Sequence, residues 1–131
     1  MTRQAALQRA TDVFDDGSFK AALKRRIQRP TESQNPARAP ELRAYLQEEI
    51  RPALEAMGFE CRLIEHAKAK APFLFAQRME SPQLPTVLGY GHGDVIRGLE
   101  AEWREGVTPW ELTELEGRWY GRGIADNKGQ H

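Results

Sequence analysis

Apolar residues recur at helical spacing through the first third of the chain: Leu7, Ala10, Val13 and Phe14, then Phe19, Leu23 and Ile27 after Asp16-Gly17-Ser18. Two amphipathic helices are predicted, the second N-capped by Ser18, a residue type whose side-chain oxygen accepts from early helical amides. The turn-rich stretch RPTESQNPARAP, residues 29–40, separates them from a third stripe formed by Leu42, Leu46, Ile50, Leu54 and Met57. Pro40 suits a first helical position and Gly58 a helix stop. Pro52 lies inside the stripe and predicts a kink or a division, because it has no amide to donate and its ring clashes with the preceding turn.

From Phe59 the period changes to two. Phe59, Cys61 and Leu63 alternate with Glu60 and Arg62, and the runs 73–76 (Phe-Leu-Phe-Ala) and 86–90 (Thr-Val-Leu-Gly-Tyr) follow. Three strands are predicted. The links are too short for crossovers between parallel neighbours, so directly paired strands should be antiparallel. The third run is apolar on both faces, as a central strand would be. Helices followed by such a sheet indicate an α/β layered fold with no internal repeat.

Composition adds bounds. The chain has 131 residues, 40% of them hydrophobic, with 19 Lys and Arg against 19 Asp and Glu. A chain of this size buries somewhat under ~70% of the surface exposed when unfolded, enough for one core without disulfides. The charge balance supplies no bulk attraction to nucleic acid or anionic membrane. There is no run of about 18 apolar residues and no apolar leader, so no membrane partner is expected and the location is read as cytoplasmic. Cys61 is the only cysteine and reads as a small core residue.

The candidate chemistry lies late in the chain. The third predicted strand runs into Gly91-His92-Gly93-Asp94-Val95, where an imidazole and a carboxylate two residues apart share one side. A carboxylate can hold one ring nitrogen and raise the basicity of the other, which suits a metal ligand. The same pattern also fits a surface histidine or one satisfied in a core. A second segment, WYGRGIADNKGQ at residues 119–130, sets Asp126 in a glycine-rich turn, where a carboxylate can bridge two cations. A dinucleotide site does not fit, because Asp126 replaces the third glycine of that fingerprint and would oppose a pyrophosphate. RNA stacking on the Arg-Trp-Tyr-Gly-Arg segment is disfavoured by the acidic run before it, six Glu and one Arg over residues 99–116, which reads as a solvated loop. Arg122, between two glycines, is assigned to support of the turn.

Taken as a pair, GHGDV and WYGRGIADNKGQ resemble the motifs of the zinc-dependent amidohydrolase and exopeptidase family that includes acetylornithine deacetylase, succinyl-diaminopimelate desuccinylase, carnosinase-type dipeptidases and glutamate carboxypeptidase. The similarity extends upstream through LEAMGFECRLIE. The resemblance implies the N-terminal part of a three-layer αβα zinc-peptidase catalytic domain with a mixed sheet, spanning residues 1–131. It implies His92 as a ligand of one metal ion, Asp126 as the carboxylate bridging two, and Asp94 as the catalytic-site carboxylate that orients His92. The peptide bond after Asp126 is expected to be cis. The implied cofactors are two divalent metal ions, zinc first, with cobalt or manganese as alternatives.

The implied activity is hydrolysis of amide bonds in a small peptide, of the dipeptidase or carboxypeptidase type, with N-acyl amino acid deacylation as an alternative. The family's general base belongs to a downstream Glu-Glu pair. The only such pair here, Glu48-Glu49, lies upstream on a helix and reads as solvated, while His66 and His131 read as non-ligands. The chain is therefore expected to be an incomplete and inactive N-terminal piece, whose full-length form is a homodimer. A short non-catalytic binding form is the remaining alternative.

Overall fold

A computed structural model describes residues 2–131. Helix α1 (Arg3–Asp15) is capped by Thr2, whose hydroxyl accepts from the Ala5 amide at 3.2 Å. Helix α2 (Ser18–Ile27) begins one residue earlier than expected. Gly17, at φ 81°, is the cap, and Ser18 is the first helical residue, its amide held by the Asp16 carboxylate at 2.8 Å. Glycine takes this left-handed turn without the steric cost of a Cβ, so the chain can reverse sharply between α1 and α2.

The third stripe divides as Pro52 requires. Helix α3 (Ala39–Ala44) passes into a π-helical segment, Tyr45–Ile50, and then into α4 (Arg51–Ala56). Pro52 cannot donate to the Glu48 carbonyl. Just before it the ladder is already displaced, with the Arg51 amide reaching the Leu46 carbonyl five residues back.

Strands β1 (Glu60–Ile64) and β2 (Phe73–Gln77) pair antiparallel, with Leu63 opposite Leu74. A second antiparallel hairpin joins β3 (Thr113–Leu115) to β4 (Arg118–Tyr120), so the end of the acidic run is strand rather than the expected solvated loop. Its turn places both Glu116 (φ 53°) and Gly117 (φ 71°) in the left-handed region, the conformation that matches the twist of a tight hairpin. The expected strand over residues 86–90 does not form, and Val87, Leu88 and Tyr90 are each about 90% exposed. A strand apolar on both faces needs neighbours at both edges and cover on both faces, and the described residues supply neither. The only parallel pairing among the described residues is the isolated bridge between Glu32 and Val95, so the mixed sheet is not assembled within them.

The core centres on Leu23, Ile27 and Leu112, with Phe19, Trp119 and Ile124 packed around them. Helix α2 thus packs its Phe19, Leu23 and Ile27 stripe against the second hairpin. Glu32 is buried beside this region. Burial pushes its carboxyl up, but the Gly98 amide at 2.7 Å, Asn35 and Arg38 together outweigh that and hold it below its ordinary 4.5. Stabilisation from a lowered carboxylate is present above its unfolded value and lost as pH falls through the folded one. Wild type should therefore lose stability more steeply than Glu32→Gln as pH drops below 4.5. Urea midpoints for both proteins at about pH 3 and about pH 7 check this; parallel pH profiles would contradict it.

Candidate metal centre

The segment carrying His92 and Asp94 is held by the turn-rich stretch after α2. The Val95 amide donates to the Thr31 carbonyl at 2.9 Å, and the Ser33 amide to the Val95 carbonyl at 3.3 Å. The Thr31 hydroxyl donates to the Gly93 carbonyl at 2.5 Å. On its other side Gly93 lies against Tyr45, so close that a Cβ there would sit 2.1 Å from Cε1 of the ring. The glycine between the two polar side chains is what permits this approach.

The second segment leaves β4 through a series of tight turns. The Arg122 amide donates to the Pro109 carbonyl at 2.7 Å, and its guanidinium reaches the Gly98 carbonyl at 3.1 Å while lying over Trp103. Arg122 therefore ties the turn to the loops beneath it. Gly123 takes a left-handed φ of 84° and packs against Val95, which brings the two segments together. The Asp126–Asn127 peptide bond is cis. Lys128 is fully buried, and its ammonium donates to the Arg26 and Arg29 carbonyls at 2.9 and 2.6 Å, where α2 ends. Burial pulls its pKa down to about 7, with Glu41 opposing.

These anchors bring together side chains 34 residues apart: His92 Nε2 lies 3.1 Å from Asp126 Oδ1. The other ring nitrogen, Nδ1, is 3.2 Å from both the carbonyl and the carboxylate of Asp94. With the ring proton on Nδ1, where two Asp94 oxygens accept, the Nε2 lone pair faces the Asp126 carboxylate. In that tautomer the two groups would both accept, and a cation between them would satisfy both. Their separation is close to about 3.3 Å, the edge of a tetrahedron with metal–ligand arms of about 2.0–2.1 Å. The pair is open to solvent, with the Asp126 side chain 83% exposed. Among the described residues, no group of three or more His, Cys, Asp or Glu side chains could hold a metal ion.

Other chemically reactive side chains fall elsewhere. Glu48 and Glu49 pair with Arg29 and Arg25, and the Glu49 side chain is only 13% exposed, so it is not the solvated group expected. His66 is exposed and accepts from the Lys68 amide. Cys61 is half-buried on β1 rather than in the core, and burial pushes its thiol up. His131 lies 3.0 Å from Asn127 Oδ1, against the Asp126 turn. Tyr45, Asn127 and Lys128 also surround the site, although no isolated motif singles out Tyr45, which is embedded in a helical stripe. No helix among the described residues is long and apolar enough to cross a membrane.

Comparison with known proteins identifies dipeptidases. The chain is 45% identical over 59 residues to mouse Beta-Ala-His dipeptidase, covering 44% of this chain and 12% of that protein. It is 52% identical over 46 residues to the Cysteinylglycine-S-conjugate dipeptidase of Corynebacterium striatum, covering 34% of this chain and 10% of that protein. No family model matches. Among solved structures, human carnosine dipeptidase 1 matches with a TM-score of 0.76 and 27% identity, over 95% of this chain and 28% of that one. The di-peptidase Dug1p of Saccharomyces cerevisiae also gives 0.76, at 23% identity, over 92% of this chain and 27% of that one. The α/β fold is thus shared with dipeptidases, and this chain spans about a quarter of the length of those chains. The motif resemblance is borne out, and the relatives on which it rests are dipeptidases.

Proposed function

We propose that this chain forms the N-terminal portion, residues 1–131, of a metal-dependent dipeptidase catalytic domain. His92 and Asp126 would supply two metal ligands, and Asp94 would fix the His92 tautomer. The observation that carries this reading is the approach of His92 Nε2 to Asp126 Oδ1 at 3.1 Å, within a fold shared with carnosine dipeptidase 1. The nitrogen-and-oxygen donor set suits zinc first, with cobalt or manganese as alternatives. Divalent cations bound there polarise a scissile carbonyl and lower the pKa of water. The chain's own residues hold the imidazole proton at Nδ1 and keep the Nε2 lone pair and the Asp126 carboxylate turned to one point.

The relatives favour dipeptides over N-acyl amino acids as substrate. Two donors alone bind metal weakly, and no general base stands beside them among the described residues. The isolated 131 residues are therefore expected to show no turnover. A homodimeric full-length form in the cytoplasm accompanies this reading. The test is to recover the native protein from cell extract with an antibody to this chain, determine its size, and assay dipeptide and N-acyl amino acid hydrolysis with and without a chelator. Chelator-sensitive dipeptide cleavage by a species larger than the 14.9 kDa chain is expected. Dipeptide cleavage unaffected by chelation would refute the metal assignment. A species near 14.9 kDa without activity would favour the short binding form.

A further inference from the structure

One buried ring touches both halves of the site. Tyr45, 1% exposed, opens the π-helical segment, a type of irregularity that clusters at functional sites. Its ring packs against Gly93, between His92 and Asp94. Its hydroxyl lies 2.8 Å from His131 Nε2, and Nδ1 of the same imidazole lies 3.0 Å from Asn127 Oδ1. That Oδ1 also accepts from the His92 amide at 3.2 Å.

The direction of each bond follows from its neighbours. Asn127 Nδ2 donates to Gln130 Oε1 at 2.6 Å, and Gln130 Nε2 donates to the Ala125 carbonyl at 2.6 Å. Oδ1 of Asn127 therefore faces His131 and His92 as an acceptor, which places the His131 proton on Nδ1. Nε2 of His131 then accepts from the Tyr45 hydroxyl. Each proton in the chain has an acceptor, and the Asn127 oxygen uses both lone pairs.

We propose that Tyr45, His131 and Asn127 are positioning residues, forming a hydrogen-bonded chain that sets the separation of His92 from Asp126 and with it the divalent-cation affinity of the pair. This rests on the metal reading above. None of the three supplies a ligand. Tyr45 locates the first motif through contact with Gly93 and the second through His131, while Asn127 joins the Asp126 turn directly to the His92 backbone.

The test is a Co2+ titration of the full-length protein, as wild type and as Tyr45→Phe, His131→Phe and the double variant, followed by visible absorption. Thermal midpoints and exchange of the His92 amide are measured on the metal-free proteins. Each single variant is expected to weaken Co2+ binding about 10-fold, the lower end of the loss seen when a partner behind a ligand is removed. The absorption band should shift and the His92 amide should exchange faster. The double variant should be no weaker than either single one, because both interrupt the same chain. If Tyr45→Phe lowers the thermal midpoint, His131→Phe alone carries the comparison. Wild-type Co2+ affinity and spectrum in the folded variants overturn the positioning role and leave the metal reading standing. Failure of the full-length wild-type protein to take up Co2+ overturns the metal reading and, with it, the cation-affinity role; unchanged His92 exchange in the variants separately overturns the hydrogen-bonded chain.

Discussion

Gly129→Ala is expected to lower the stability of the chain by about 3 kcal/mol, the upper end of what overpacking usually costs. A Cβ at this position would lie 2.1 Å from the backbone oxygen of Ile124, with Leu23 next in line at 3.9 Å. A flexible side chain could swing away from such a clash, but a carbonyl fixed within a turn cannot. The turn is closed from several sides: the Lys128 amide donates to the Gly123 carbonyl at 3.0 Å, the Gln130 amide to the Asn127 carbonyl at 2.9 Å, and the Lys128 ammonium to the end of α2. Relief would have to break one of these. Urea denaturation should show a large drop in midpoint at unchanged slope, and an unaltered midpoint would refute the close packing of residues 124–129.

Asp126→Asn should do the opposite, leaving stability nearly untouched and removing cation binding. The side chain is 83% exposed, and among the described residues its one charge-bearing contact is with His92. Surface substitutions away from buried features usually change stability by less than about 0.5 kcal/mol. The amide preserves the shape of the carboxylate but withdraws the negative charge directed at the His92 lone pair. The loss of affinity should therefore exceed the about 10–100-fold typical of residues that only support a ligand. Calorimetric titration with zinc, beside a thermal melt of the metal-free protein, checks both halves. Zinc affinity equal to wild type in the variant would remove Asp126 from the metal reading.

Helix α2 was legible because it buries one stripe, so the spacing of Phe19, Leu23 and Ile27 contained the information needed to place it, whereas α1 forms with Leu7, Val13 and Phe14 exposed. The division at Pro52 followed from the missing donor. The strand at residues 86–90 was misplaced for the complementary reason. Its apolar pattern records an environment with partners on every side, and the described residues provide none. The second hairpin was hidden by its Glu116-Gly117 turn, which lacks the asparagine or aspartate usually associated with that backbone shape.

At the site, His92, Asp94 and Asp126 stood out because their chemistry is local to two short motifs. Tyr45 and Glu32 act through contacts tens of residues away, and nothing in their own neighbourhoods marks them. His131, read as a non-ligand, turns its ring back onto Asn127, a contact that spacing alone does not show.

The burial of Lys128 also bears on how the polypeptide folds as it is made. Its ammonium bonds to carbonyls 99 and 102 residues earlier, and the α2 stripe waits for Leu112 and Trp119 to cover it. Synthesis proceeds at about 5–20 residues per second, so α2 stays uncovered for on the order of 5–20 s after it emerges from the ribosome. Throughout that interval Leu23 and Ile27 are available to chaperones or to other nascent chains. Long-range closure of this kind also slows folding, because loop entropy is lost before the distant contacts compensate for it. Release of a chain cut short before Leu112 would leave the same apolar stripe permanently open.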